Sequence, residues 1–376
     1  MVSNSKLKKE GIEVKQKLDT LKVNTVANNI ANKLCFAFPE HNLNKSDLFE
    51  CISRINMYFA KMPLDSSYAK YFYKYNSIYF NENIDLDDLP TLVVHECIHC
   101  IQELYDKNNN LLRMGLYTPS NNKGLGINEA AVQLMASEAN SSNPESEIYF
   151  GITLNTISPN YYPLECALLN QITYFTGTYP LYHSVLNSND VFKNTLSAKI
   201  GEKNYSIILK KFDKLLSLEN NLNYYVSELQ YTEKINSIKL LNELIDETKK
   251  EIKSLFFKTQ NLIMNKCFKS EFNSIRNLDD IKDFNKKLYN YKDIIGTAEG
   301  YTFYNDFYRN IMNSIEEKKA YIEANGEINL FENINTSLIL IDETQKTFSL
   351  INTLILKIRK LFKLNNNSYE DINNLQ

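Results

Sequence analysis

The sequence predicts an α+β protein that is mainly helical. Only 10 Gly and 8 Pro punctuate 376 residues, so uninterrupted elements should be long. Apolar residues recur at spacings of three and four over much of the chain, which is the helical period. One segment, Tyr71 to Asn81, is instead aromatic and β-branched, with Ile78 and Phe80 alternating against Ser77 and Tyr79. It reads as a strand or hairpin.

Taken in order, residues 5–34 carry Leu7, Ile12, Leu18, Leu21, Val26, Ile30 and Leu34 at near-helical spacing. Pro39 and Asn42 to Asn44 mark a loop. Ser46 is a candidate N-cap for a helix over 47–62, with Phe49, Ile52, Ile55 and Phe59 on one face and Pro63 ending it. After the strand region, Asp85 to Pro90 turns into a helix over 91–106. Residues 107–126 are loop-like, Ile127 to Ala139 is helical, and Tyr161 to Phe175 is helical up to Gly177 and Pro180. From about residue 202 the chain changes character. Ile238, Leu241, Ile245, Thr248, Ile252 and Leu255 form one seam, and Ile341, Thr344, Phe348, Ile351, Ile355, Ile358 and Phe362 another. Tyr304, Ile311, Ile315 and Ile322 form a weaker third. Seams of this length suit an antiparallel helical bundle or a dimerising coiled coil. A protein partner or self-association through these helices is therefore one expectation.

Composition narrows the function. A net charge of −3 gives no basic footprint for nucleic acid. No window approaches the roughly 18 apolar residues of a membrane span. Met1 to Lys17 is polar and basic without an apolar run, and six cysteines are too few for a disulfide framework in a chain this size. A cytoplasmic protein with free thiols is expected.

The chemistry gathers at His95-Glu96-Cys97-Ile98-His99, which fits H-E-x-x-H. Residues four apart share a helix face, so both imidazoles can reach one ion. Zn2+ suits imidazole nitrogen, and Glu96 is placed to act as general base toward a water. The chain has only four His, which makes the spacing informative. Leu92, Val93, Val94, Ile98 and Ile101 make the helix apolar enough to be buried, where unpartnered polar groups are costly. Further on, Gly124-Leu125-Gly126-Ile127-Asn128-Glu129-Ala130 opens a helix with one carboxylate among small and apolar residues.

These two motifs together resemble the gluzincin, thermolysin-like, metallopeptidases over roughly residues 70–140. The resemblance implies that His95, His99 and Glu129 bind zinc, that Glu96 is the base, and that a peptide or protein is the substrate. It also implies that the strand before the active-site helix, here residues 76–81, receives substrate as an added strand. Two features depart from the family. Gln133 stands one turn past Glu129, where an Asp often orients a zinc His, and the interval from His99 to Glu129 is long. Gln can still accept an imidazole N–H through its carbonyl. Glu138 is an alternative ligand.

The family usually adds a Tyr or His that stabilises the oxyanion. Tyr161, Tyr162, Tyr174, Tyr179, Tyr182 and His183 are candidates. With 25 Tyr in the chain, His183 is the one selected, as the only His downstream of the motif. His41 reads as a surface residue, and Cys97 and Cys100 as small buried hydrophobes. The expected organisation is a zincin-like metallopeptidase domain over 1–200 and a helical bundle or coiled-coil region over 201–376. The rival reading is a regulatory or partner-binding protein that keeps a zinc-binding core without general proteolysis.

Overall fold

A computed structural model describes residues 2–62 and 69–328. The N-terminal part runs α1 (Asn4–Lys9), β1 (Glu13–Lys17), α2 (Thr20–Ala37), α3 (Lys45–Ser53), β2 (Asn56–Lys61), β3 (Ala69–Phe72) and β4 (Ser77–Asn81). There follow α4 (Thr91–Ile101), β5 (Glu103–Tyr105), β6 (Leu111–Met114), α5 (Leu125–Ala139), β7 (Glu145–Tyr149) and β8 (Ile152–Thr156). The rest is helical: α6 (Pro163–Thr176), α7 (Tyr179–Asn187), α8 (Val191–Ile200), α9 (Glu202–Tyr231), α10 (Ile235–Ser274), α11 (Leu278–Tyr291) and α12 (Phe303–Asn325). The chain is thus α+β and mainly helical. No helix among the described residues is long and apolar enough to cross a membrane.

Four strands form one sheet in the order β1-β2-β4-β3, and β5-β6 and β7-β8 are separate hairpins. β3 and β4 are the expected hairpin, turning at Asn76 with φ +41°. β4 also pairs in parallel with β2, so both its edges are filled. The strand expected to receive an added peptide is therefore an interior strand. β3 is the outer one, and it lies against α4.

Two stretches differ from the sequence reading. The helical pattern over 5–34 is broken at Gly11 (φ +69°), and 13–17 pairs with β2. β1 is exposed along its whole length, so backbone pairing rather than a buried face makes it a strand. Leu7 and Ile12 serve a small separate core with Tyr58, Phe72 and Tyr79. The helix expected over 47–62 stops at Ser53. Asn44, not Ser46, caps it, accepting from the Ser46 and Asp47 amides. Residues 56–61 then enter the sheet, because pairing with β4 overrides a local 3.6-residue pattern. Pro63, expected to end that helix, lies outside the described residues. The helix over 91–106 likewise stops at Ile101, and 103–105 turns into β5.

The long helices from 202 onward form as expected. Ile245 and Ile252 of the first seam are buried on α10, as are Ile311, Ile315 and Ile322 of the third on α12. The seam from Ile341 to Phe362 lies outside the described residues. α9 and α10 form a helical hairpin with Lys214 Nζ 3.3 Å from Glu251 Oε1.

α9 also packs on α5 and completes it. Gly124, the residue before α5, has no side chain to cap the helix. Asp213 of α9 does so instead, its two oxygens accepting from the amides of Gly124 (3.0 Å) and Gly126 (2.9 Å). A Cβ on Gly126 would stand 2.4 Å from the Phe212 carbonyl oxygen, so only glycine permits this approach. Asp213→Ala strands two partly buried N–H groups. It should lower unfolding free energy by about 1–3 kcal/mol, read as a shifted urea midpoint at constant m-value. An unshifted midpoint would mean that water replaces the carboxylate without cost.

Behind α5, Glu165 of α6 is fully buried and lies within the field of Glu219 of α9. Burial first, then Glu219, raises the Glu165 pKa well above the usual carboxylate range, and burial raises that of Glu219 to about 7. A carboxyl whose pKa is raised in the folded state holds its proton where the unfolded chain has lost it. Stability therefore falls as pH climbs above 4.5, with Glu219 contributing to the loss up to about pH 7 and Glu165 continuing it beyond. Glu219→Gln should flatten that slope and stabilise the protein at pH 8 by on the order of 1–3 kcal/mol. Melting curves across that window test it, and a slope as steep as wild type contradicts it.

Candidate metal centre

His95 and His99 lie one turn apart on α4, and Glu129 on α5 faces them. His95 Nε2 is 3.0 Å from His99 Nε2. Glu129 Oε2 is 3.2 Å from His95 Nε2 and 3.5 Å from His99 Nε2. These separations bracket the edge of about 3.3 Å that a tetrahedral site with bonds of about 2.0 Å requires. Among the described residues these three form the one group of His, Cys, Asp and Glu that could hold a metal ion.

Two carboxamides fix the imidazoles. His95 Nδ1 donates to Gln133 Oε1 (2.9 Å), and the Gln133 amide nitrogen donates to Ser137 Oγ (3.3 Å). His99 Nδ1 donates to Gln102 Oε1 (3.1 Å), and Gln102 Nε2 donates to Asn128 Oδ1 (3.3 Å). With a proton on each Nδ1, both Nε2 lone pairs point at each other and at a carboxylate. A bound metal ion would satisfy all three acceptors at once, so the donor set fits a metal. Burial opposes charge on His99, but the Glu129 carboxylate outweighs it and lifts the His99 pKa to about 9. Burial also works against the Glu129 charge, yet the two imidazoles hold its pKa well below the usual range.

The shell behind Gln102 is continuous. Asn128 Oδ1 also accepts from the Leu116 amide (2.9 Å), and Ser188 Oγ bridges the Gln102 carbonyl and the Gly115 amide. Arg113 holds the same corner through Gly115 O, Asn189 O and Asp190 Oδ1. Gln133→Ala frees the His95 ring and should weaken metal affinity about 10–100-fold. Competition against a chelator of known affinity measures this. Equal retention in variant and wild type would show that packing alone orients His95.

Access is one-sided. The His95 and His99 side chains are 2% and 8% exposed, whereas that of Glu129 is 14% exposed and Glu96 is half-buried. Glu96 projects beside the cluster, its Oε2 accepting the Tyr71 amide of β3 at 2.9 Å. Burial raises its pKa, which strengthens it as a base.

His183 does not join this group. It is on α7, its ring centroid 6.1 Å from that of His41 and 5.5 Å from that of Tyr179, and it accepts no bond from any site residue. His41, expected at the surface, has its side chain enclosed there, stacked at 4.7 Å on Tyr179, and burial lowers its pKa. Of the candidate tyrosines, Tyr162 is the one beside the cluster. Its ring lies 5.9 Å from that of His95, and the Glu129 charge, with burial, raises its pKa far above normal. Tyr162 also has φ +50°, a left-handed conformation that a bulky residue rarely adopts, just before Pro163 opens α6. Tyr174 bonds instead to the Lys287 carbonyl, and Glu138 lies beside Tyr182, away from the cluster. Cys97 is a fully buried core residue.

Compared with known proteins, the chain matches no family model, and no curated protein or solved structure is similar enough to it to show kinship.

Proposed function

We propose that this protein is a zinc-dependent metallopeptidase. The convergence of His95, His99 and Glu129 around one point, with Glu96 within the field of all three, carries the reading. Two imidazoles and one carboxylate suit zinc, and three protein ligands match a catalytic rather than a closed structural site. When bound, zinc supplies a Lewis acid that brings the pKa of water to about 7 and polarises a carbonyl. Glu96 takes the proton of the attacking water and returns it to the leaving amine. Tyr162 donates its phenolic hydrogen to the oxygen that gains charge at the scissile carbon. Gln133 and Gln102 keep both imidazoles in the tautomer that leaves Nε2 free.

The test is a metal analysis of the purified protein followed by cleavage of a broad peptide library. About one zinc per chain with chelator-sensitive cleavage supports the proposal. Zinc without cleavage of any peptide would leave a partner-binding protein built on a zinc core. No stoichiometric metal would end both.

A further inference from the structure

α3 and α4 bring two thiols together. Cys51 Sγ is 3.8 Å from Cys100 Sγ. Cys51 is half-buried and opens, with Arg54, Lys74, Glu103 and Tyr105, onto a cleft of ≈ 1010 Å³. Cys100, though buried, lines the same cleft. A disulfide needs about 2.05 Å between sulfurs, so the pair must close by about 1.8 Å. The remaining cysteines are placed otherwise. Cys97, Cys166 and Cys267 are buried, and Cys35 donates its thiol toward the Leu43 carbonyl oxygen at 3.6 Å.

We propose that Cys51 and Cys100 are a reversible oxidation site, closing to a disulfide when a hydroperoxide enters the cleft. The Cys51 thiolate attacks the peroxide oxygen, giving a sulfenic acid and releasing the other oxygen as water or alcohol after protonation. The Cys100 sulfur then attacks the Cys51 sulfur. The S–S bond forms, the S–O bond breaks, and the second water leaves with the Cys100 proton. Two thiols lose two electrons, and the peroxide gains them. The hydrogen bond from Cys100 lowers the Cys51 pKa, which favours Cys51 as the attacking group. The product ties α3 to the last turn of α4, one residue beyond His99. The chemistry is independent of whether the metal centre cleaves peptides.

Treating the reduced full-length protein with hydrogen peroxide, blocking free thiols with N-ethylmaleimide and mapping peptides without reduction tests this. Six thiols should fall to four, with one linked pair containing Cys51 and Cys100, and dithiothreitol should restore all six. In Cys100→Ser the reaction should stop at Cys51 as a sulfenic acid that dimedone traps, with one thiol lost instead of two. In Cys51→Ser neither cross-link nor adduct should form. A linked pair that omits Cys51 or Cys100, or a Cys51→Ser protein that loses two thiols as fast as wild type, overturns the proposal. So does a full count of six thiols after peroxide.

Discussion

Glu96→Gln is expected to retain the metal and to lose about 10²–10⁴-fold in kcat/KM, the range that a positioned general base contributes. The substitution suits its surroundings. Gln keeps a carbonyl oxygen where Glu96 Oε2 accepts the Tyr71 amide, so the link between α4 and β3 persists. What changes is the capacity to take a proton. The cluster loses a buried negative charge beside two imidazoles, and that loss does not remove a ligand. Metal content, melting temperature and cleavage rate measured together separate the cases. Falling metal content would place Glu96 among the ligands. Unchanged cleavage with unchanged metal would refute the base assignment and, with it, the reading of the site as hydrolytic.

The convergence of His95, His99 and Glu129 was legible because its information is short-range. An i, i+4 His pair needs only a helix to converge, and α4 forms over that segment. Glu129 was reached through its neighbours, because one acid in an apolar helix that opens on glycine needs a partner. Gln133 was reached only through the family resemblance, and the structure places its carbonyl oxygen 2.9 Å from His95 Nδ1. What escaped depends on distant residues. Nothing local shows that Gly126 is a glycine because Phe212 approaches it, or that Asp213 caps α5. β1 and β2 escaped similarly. Their residues carry helix-like spacing, and only β4, placed alongside by the rest of the fold, makes 56–61 a strand. The outer position of β3 is a fact of sheet order, which spacing along one strand cannot encode.

His183 was chosen for its rarity as a downstream histidine, and rarity is not position. The fold gives it, on α7, an aromatic neighbourhood with Tyr179 of the same helix and His41. Among 25 tyrosines, the sequence offers no means to select Tyr162. The selecting features are conformational: a left-handed backbone, a helix start at Pro163, and a ring beside His95.

Tyr162→Phe therefore carries the second large expected effect, a loss of about 10²–10³-fold in kcat, the value of one well-aimed donor to a developing oxyanion. Phe keeps the ring stacked by His95 and the same backbone preference, so fold and metal content should be unchanged. The hydroxyl's surroundings sharpen the expectation. Its proton is held tightly by the Glu129 charge and by burial, so Tyr162 stays neutral and able to donate throughout the working pH range. A donor used only as charge develops affects the transition state more than substrate binding, so kcat should fall while KM moves little. If KM rises with kcat intact, Tyr162 is a substrate-packing residue. If metal content falls instead, the hydroxyl's service is to Glu129, and the oxyanion must be met by another group.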